Sequence, residues 1–325
     1  VTYTGAKFKD PQIITDLPLP DTSMAQISVN TTIEAETAGD YKLELRYAGK
    51  QLAIPKKKKK GENTIKLSAD KYKELTLKNP KLWWPNGYGG QHLYQMQLVL
   101  LTNTAQVADK KTVRFGVREM GYELAVATSA KNIQRIAYNP TDIFAKHPVV
   151  LFENLEVEKV SKKTAVPKLI KPGYMDWLTK KDGDNPYLTI KVNGIPIFCR
   201  GGNWGLDDAM KRSSRQRLEP YFRLHKEANY TMVRNWTGQN TQEVFYELAD
   251  EYGLLVWNDF WMSTQGYNYP PDDFDLLYRN AADAVKRFRN HPSIALWCAR
   301  NEGYPPKALE KRLARLIAEE DGTRH

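Results

Sequence analysis

Asn301 and Glu302 close the apolar run Ser293 to Cys298 and its short continuation Ala299-Arg300. A carboxylic acid and an amide therefore arrive together at the end of a segment rich in Ile, Leu and Trp. An acid so placed suits proton transfer to or from an oxygen, and the amide beside it suits a hydroxyl that would otherwise be buried unsatisfied. Three earlier apolar runs end in comparable groups. Residues 195–200 lead into Gly201-Gly202-Asn203-Trp204-Gly205-Leu206-Asp207-Asp208, residues 231–236 close on Arg234-Asn235-Trp236, and residues 254–260 on Asn258-Asp259-Phe260, followed by Trp261. Amides, carboxylates, a guanidinium and indoles together suit a carbohydrate, whose C–H faces stack on rings while its hydroxyls need partners. The candidates are Glu302 for catalysis and Asn301, Asn203, Trp204, Asp208, Arg234, Trp236, Asp259 and Trp261 for binding. Each has a structural alternative: core packing for the tryptophans, ion pairing for Arg234, turn capping for Asp207, Asn203 and Asn235, and a helix N-terminal position for Glu302 before Pro305.

Those runs alternate with segments of helical periodicity at 215–228, 240–252, 273–290 and 305–318. In the second, Val244, Phe245, Leu248, Ala249 and Tyr252 form one stripe, Asn240 and Glu243 fit a capping box, and Gly253 stands where a C-terminal cap wants glycine. Pro220 in the first is compatible with a helix only inside its opening turn. Apolar strands buried on both faces and alternating with helices imply a parallel sheet with right-handed crossovers. In such folds the site lies beyond the carboxyl ends of the strands, where the candidates fall. There are four strand–helix units, whereas a closed (β/α)8 barrel needs eight and about 250 residues. Residues 187–325 thus predict the N-terminal half of a TIM barrel. The alternative is a self-contained open sheet, but no phosphate-binding glycine fingerprint accompanies it.

Ahead of the half-barrel, residues 1–118 read as short alternating strands at 25–33, 39–47, 64–67, 93–102 and 110–117, separated by Gly, Pro and Asn. That pattern predicts an immunoglobulin-like sandwich. The turn Leu82-Trp83-Trp84-Pro85-Asn86-Gly87-Tyr88-Gly89 offers two tryptophans for packing or, alternatively, as sugar platforms. Residues 119–186 read as an irregular linker or insertion with some strand, including the polar stretch 180–186. A hairpin is expected at Leu188 to Val192, Asn193-Gly194 and Ile195 to Arg200.

The formal charge of +10 is concentrated in front, where residues 1–118 hold 19 Lys/Arg against 11 Asp/Glu and the remainder 29 against 27. Five of those cations, Lys56 to Lys60, read as a solvated hairpin tip rather than a polyanion site, so no nucleic-acid partner is implied. Cys199 and Cys298 lie in apolar runs without zinc spacing and read as buried free thiols. No metal or other cofactor is implied. Neither thiol assigns a compartment, since a large exported enzyme needs no disulfides. No stretch of about 18 apolar residues predicts a membrane span. Val1 is not an initiator methionine, and the chain reads as excised from something longer.

Asn203-Trp204, Val233 to Trp236, Gly253 to Trp261, and Arg289-Asn290-His291-Pro292-Ser293-Ile294 followed by Asn301-Glu302 resemble glycoside hydrolase family 2 over residues 194–325. Residues 1–118, with the Trp-Trp-Pro-Asn-Gly turn and the ending Phe115-Gly116-Val117-Arg118, resemble the sandwich preceding the barrel in that family. Residues 200–205 and 301–306 look closest to its β-mannosidase, endo-β-mannosidase and exo-β-glucosaminidase branch. The resemblance implies a retaining β-glycosidase in which Glu302 is the general acid/base and Asn301 holds the 2-substituent of the sugar. It also implies a nucleophile carboxylate on a seventh strand, which this chain lacks, so the isolated chain is expected to be inactive. The alternative function is a non-catalytic carbohydrate-binding or assembly module. The open edges of the first and last strands of the half-barrel predict self-association.

Overall fold

The computed structural model describes residues 5–129, 132–146, 152–159, 165–169, 176–178, 188–263, 271–303 and 306–325. They form two compact units: residues 1–83, 91–118 and 289–292 in the first, residues 84–90, 119–288 and 293–325 in the second.

The first unit contains β1 (Ala6–Asp16), β2 (Met24–Ala35), β3 (Gly39–Tyr47), β4 (Lys50–Lys58), β5 (Gly61–Ser68), β6 (Thr76–Lys78), β7 (Tyr94–Thr102) and β8 (Val107–Phe115). One antiparallel sheet runs β1-β2-β5 with β6 also beside β2, and the other runs β4-β3-β7-β8. Strict alternation along β2 sends Ile27, Val29 and Ile33 into a core shared with Leu43, Leu45, Leu98 and Leu100. The lysine run departs from the expected tip. Lys56, Lys57 and Lys58 are paired to Tyr41, Asp40 and Gly39 within β4, and Lys58 is buried. β4 and β5 belong to different sheets, so the turn between them crosses the sandwich instead of closing a hairpin.

A bulge in β1 breaks its register between Lys9 and Gln12, with Asp10 at φ 46°. The Asp10 and Pro11 carbonyls accept from Arg289 Nη2 at 2.6 Å and Asn290 Nδ2 at 2.8 Å, while Ile13 N–H donates to Asn290 Oδ1 at 2.8 Å. Arg118 Nε adds a bond to Pro292 O at 3.1 Å. The Arg-Asn-His-Pro stretch that carries part of the family resemblance is thus a clasp within the first unit.

In the second unit, β9 (Met120–Ser129), β10 (Asn132–Tyr138), β11 (Phe152–Lys159), β12 (Ala165–Leu169) and β13 (Asp176–Leu178) share one sheet with the hairpin β14 (Leu188–Val192) and β15 (Ile195–Ile197). α1 (Pro140–Lys146) follows β10. Apart from α1, the described parts of the expected irregular stretch are therefore strands of a common sheet. Local periodicity hid this because β9 pairs not only with its sequence neighbour β10 but also with β12 and β14, which lie far from it in sequence. The polar stretch 180–186 lies outside the described residues. The hairpin turn has Asn193 and Gly194 at φ 50° and 80°, the paired left-handed geometry that an Asn-Gly dipeptide favours.

The parallel sheet comprises β16 (Gly201–Trp204), β17 (Met232–Asn235), β18 (Leu255–Asp259) and β19 (Ile294–Cys298), in that spatial order. The connecting helices are α2 (Arg215–Glu227), α3 (Glu243–Tyr252) and α4 (Phe274–Phe288), and α5 (Lys307–Glu320) follows β19. The first strand is not residues 195–200, of which 195–197 form β15, but the glycine pair and the two residues after it. Backbone proximity explains the choice: a Cβ on Gly201 would lie 1.7 Å from the Met232 carbonyl oxygen. Val233, Val256, Ile294 and Trp297 pack with Phe222, Phe245, Leu248, Val285 and Leu313 of the helices.

Two helix details depart from the sequence reading. Pro220 lies in the interior of α2, where its exposed position lets water reach the carbonyl that its missing N–H leaves unbonded. The expected capping box at α3 does not form. Gln242 is its N-cap without a side-chain bond, Asn240 is turned into the interior, and Glu243 pairs with Arg287 at 3.1 Å. Gly253 does cap its end, at φ 74°.

The two edges of the parallel sheet differ. On β19, Ala295 O accepts from the Tyr122 hydroxyl, Ile294 O accepts from Arg324 Nε at 2.7 Å, and Trp297 N–H donates to His325 O at 2.9 Å. These capped groups are unavailable to another chain, which corrects the expectation that both edges are open to association; β16 is the edge left to it. His325 itself is exposed and lies beside the rings of Tyr122 and Tyr138.

Candidate active site

Side chains alternate along a strand, so with Val233 and Val256 facing the helices, Arg234, Trp257 and Asp259 share the opposite face. There Arg234 reaches across to Asp259, with Nε to Oδ1 at 3.1 Å and Nη2 to Oδ2 at 2.8 Å. The fork matches a carboxylate, and the buried Asp259 needs such a partner. The guanidinium carbon also sits 5.4 Å from the Trp257 ring centroid, a cation–π contact.

Beyond β17 the chain makes a single 3-10 turn, Trp236–Gly238. Thr237 adopts φ 52°, ψ 24°, a left-handed conformation disfavoured for a β-branched residue, and its N–H donates to Asp259 Oδ2 at 3.0 Å. Gly238 follows at φ 62°, where a Cβ would meet Asp259 O at 2.7 Å and the Trp261 indole at 3.1 Å. The turn thereby aims Trp236 at the end of β19. Trp236 Nε1 and Arg234 Nη2 both donate to Asn301 Oδ1, each at 2.9 Å, and Asn301 N–H donates to Met262 O at 3.0 Å.

Three strand ends therefore converge on one amide: Arg234 and Trp236 from β17, Asp259 from β18 and Asn301 after β19, with Trp261 packed at the turn. Glu302 follows directly and is exposed; among the described residues it makes no hydrogen bond or ion pair. Cys298 lies partly buried, with its thiol donating to Arg300 O at 3.1 Å. Burial, and secondarily the Asp259 carboxylate, push that thiol up and keep it protonated.

Other expected residues stand apart from this cluster. Trp204 points into the helix layer, ring-to-ring with Phe222 at 4.9 Å and Phe245 at 5.4 Å, because it lies in β16 rather than beyond its end. Asp208 is folded back on its own loop by Arg212, whose Nε and Nη2 reach it at 2.8 Å each, and this pairing holds its carboxyl below the usual range. Asp207 is likewise engaged, by Tyr221 at 2.7 Å and Arg217 at 3.0 Å. Asn203 is exposed in β16. Asn235 and Asn258 are bonded to each other at 2.8 Å and to Tyr246, which assigns them to stapling the loop after β17. Cys199 is exposed, contrary to the expected burial, because the residues after β15 leave the sheet.

The sequence reading passed over Thr237 and Gly238. A glycine two residues beyond a strand-end tryptophan was the available signal, and only φ values reveal the strain at Thr237.

The profile described as glycosyl hydrolases family 2 matches residues 6–118, and the one described as the TIM barrel domain of that family matches residues 188–325. The chain belongs to glycosyl hydrolase family 2. It is 28% identical over 298 residues to a mannosylglycoprotein endo-β-mannosidase of Lilium longiflorum, covering 89% of this chain and 24% of that protein. It is 29% identical over 290 residues to a β-mannosidase B of Thermothelomyces thermophilus, covering 87% of this chain and 27% of that one. Among solved structures, a β-D-mannosidase from Dictyoglomus thermophilum superposes with a TM-score of 0.68 at 25% identity, over 99% of this chain and 34% of that chain. The exo-chitosanase of Amycolatopsis orientalis shares the fold, with a TM-score of 0.68 at 18% identity over 98% of this chain and 31% of that chain. The chain thus spans about a quarter of the length of these curated relatives.

Proposed function

We propose that these residues are the sandwich and half-barrel portion of a retaining β-glycosidase acting on β-mannosides, with Glu302 as its general acid/base. One observation carries the reading. Asp207, Asp208 and Asp259 are all held by cations, whereas Glu302 is exposed, uncommitted and adjacent to an amide fixed by Arg234 and Trp236. The names of the relatives, β-mannosidases and an endo-β-mannosidase, support the substrate class. No nucleic acid or cofactor enters the proposal, and among the described residues no helix is long and apolar enough to cross a membrane.

In this reading Glu302 protonates the departing glycosidic oxygen, and its carboxylate then takes a proton from the water that releases the sugar. The Asn301 amide meets the substituent on C2, the ring carbon next to the one undergoing substitution. A retaining mechanism needs a second carboxylate about 5 Å away across the sugar to form the glycosyl–enzyme bond. Asp259 does not suit that role, because Arg234 and Thr237 engage both of its oxygens. The nucleophile is therefore assigned outside these residues, and the isolated chain is expected to be inactive.

Two assays test this. The purified chain should not hydrolyse an aryl β-mannoside above blank; turnover that vanishes in Glu302→Gln would overturn the inactivity. In a protein of the relatives' length, Glu302→Gln should lower kcat about 10²–10⁴-fold on mannosides with poor leaving groups. An activated leaving group needs no proton, so the loss there should be much smaller. Equal losses on both substrates would remove Glu302 from the acid role.

A further inference from the structure

Both groups that hold the Asn301 side chain trace back to one carboxylate. Arg234 Nη2 and Trp236 Nε1 donate to Asn301 Oδ1 at 2.9 Å each. Arg234 is aimed there by Asp259, which accepts from Nε on Oδ1 at 3.1 Å and from Nη2 on Oδ2 at 2.8 Å. Trp236 is aimed by the turn it opens, and that turn is seated on the same residue. Thr237 N–H donates to Asp259 Oδ2 at 3.0 Å, and a Cβ on Gly238 would fall 2.7 Å from the Asp259 carbonyl oxygen. The seat is needed because Thr237 stands at φ 52°, ψ 24°, which a β-branched residue keeps only where its surroundings hold it. Asp259 itself is fixed: its backbone pairs with Cys298 at the end of β18, and its side chain is 0% exposed.

We propose that Asp259 is a positioning residue that acts through Arg234 and Trp236 together and so sets where Asn301, and with it the adjoining Glu302, comes to rest. This role replaces the sugar contact that the strand-end position of Asp259 predicts. Its bearing on the reaction rests on the glycosidase reading above, whereas the lock itself does not. The arrangement demands a carboxylate. Three N–H donors use both oxygens: Arg234 Nε meets Oδ1, while Arg234 Nη2 and Thr237 N share Oδ2. An asparagine in its place has one acceptor oxygen and an NH2 group that only donates. With the amide oxygen toward Thr237, the NH2 faces Arg234 Nε. Turned over, it faces Thr237 N–H and Arg234 Nη2. Either orientation sets donor against donor in a buried position, and at least one of the two arms must let go. A lysine at position 234 acts differently: it lacks the planar fork, yet it leaves the Thr237 N–H on its carboxylate.

The test is hydrogen exchange of the Trp236 indole N–H in this chain, followed by nitrogen-edited NMR, with the signal assigned by its loss in Trp236→Phe. In the unaltered chain that N–H should be protected. In Asp259→Asn it should exchange at least about tenfold faster, the usual consequence of losing hydrogen bonds to a charged group. The backbone amides of Val233 and Val256, which are register partners, should keep their protection, and this separates release of the turn from loss of the sheet. In Arg234→Lys the indole should stay protected. An indole released by Arg234→Lys as readily as by Asp259→Asn would overturn the proposal, and so would an indole that Asp259→Asn leaves unmoved. Should Asp259→Asn fail to fold, the Arg234→Lys result decides alone. In a protein of the relatives' length, Asp259→Asn should also lower mannoside turnover by at least about tenfold, because small misplacements at a reacting centre are costly. Unchanged turnover with the indole released would overturn the positioning role and leave the glycosidase reading intact. An unaltered protein of that length that hydrolyses no β-mannoside would overturn that reading, while the indole signature of the lock would stand.

Discussion

Gly201→Ala is expected to detach β16 from the parallel sheet, at a cost of about 3 kcal/mol or more. The added Cβ would fall 1.7 Å from the Met232 carbonyl oxygen, and the two residues are register partners. Neither can yield, because both positions are backbone in a ladder that continues through Val233, Arg234 and Asn235. Gly202 is the control. A Cβ there meets nothing within 4 Å, so Gly202→Ala should be nearly neutral. Hydrogen exchange read at the amides of residues 232–235 separates the two substitutions: protection should collapse in the first and persist in the second. Persistent protection and an unchanged unfolding transition in Gly201→Ala would show that β16 does not pair as described.

The second large effect is expected at Asp321, just beyond α5. Its carboxylate accepts from Trp297 Nε1 at 2.7 Å, from the Thr323 hydroxyl at 2.5 Å, and from Arg324 Nη1 at 2.9 Å to each oxygen. Both charged side chains are essentially inaccessible, at 2% exposure for Arg324 and 0% for Asp321. Asp321→Ala therefore leaves a buried guanidinium without its counter-ion and should cost about 3–5 kcal/mol. Arg324 also bonds Ile294 O, and Trp297 belongs to β19, so the damage should spread along the strand that delivers Asn301 and Glu302. A cycle with Arg324→Met separates the pair from its parts: the double variant should be less destabilised than the sum of the singles, because it removes both charges. Strict additivity in denaturant unfolding would contradict the coupling.

Neither position announces its structural role in the local sequence. Asp321 sits in a polar tail after a helix, where a carboxylate ordinarily faces water. The glycine pair at 201 and 202 read as a loop following a strand, whereas it is the strand. Local patterns could not place it, since glycine is weak in strand propensity and the pairing depends on how close another backbone must come. The same misplacement explains Trp204. One residue inside a strand rather than past its end, an indole belongs to the alternating pattern and enters the core.

The periodicities were sufficient elsewhere. Alternation in β2 and the stripe on α3 each bury one face, and burial of an apolar face is decided by residue spacing alone. Uninterrupted apolar runs likewise announced the parallel strands, and their ends announced Arg234, Trp236, Asp259, Trp261, Asn301 and Glu302 as neighbours. What spacing cannot express is direction and commitment. Whether Asp259 faces a sugar or a guanidinium, whether Asp208 looks outward or back on Arg212, and which end of the Asn301 amide is free depend on groups 25, 4 and 65–67 residues away. The sequence by itself determined the two architectures, the strand ends that meet and the family to which they belong, because these follow from local periodicity and contiguous motifs. The tertiary structure decided which carboxylates are neutralised and which remains uncommitted, because hydrogen-bond satisfaction is settled only once distant strands are side by side.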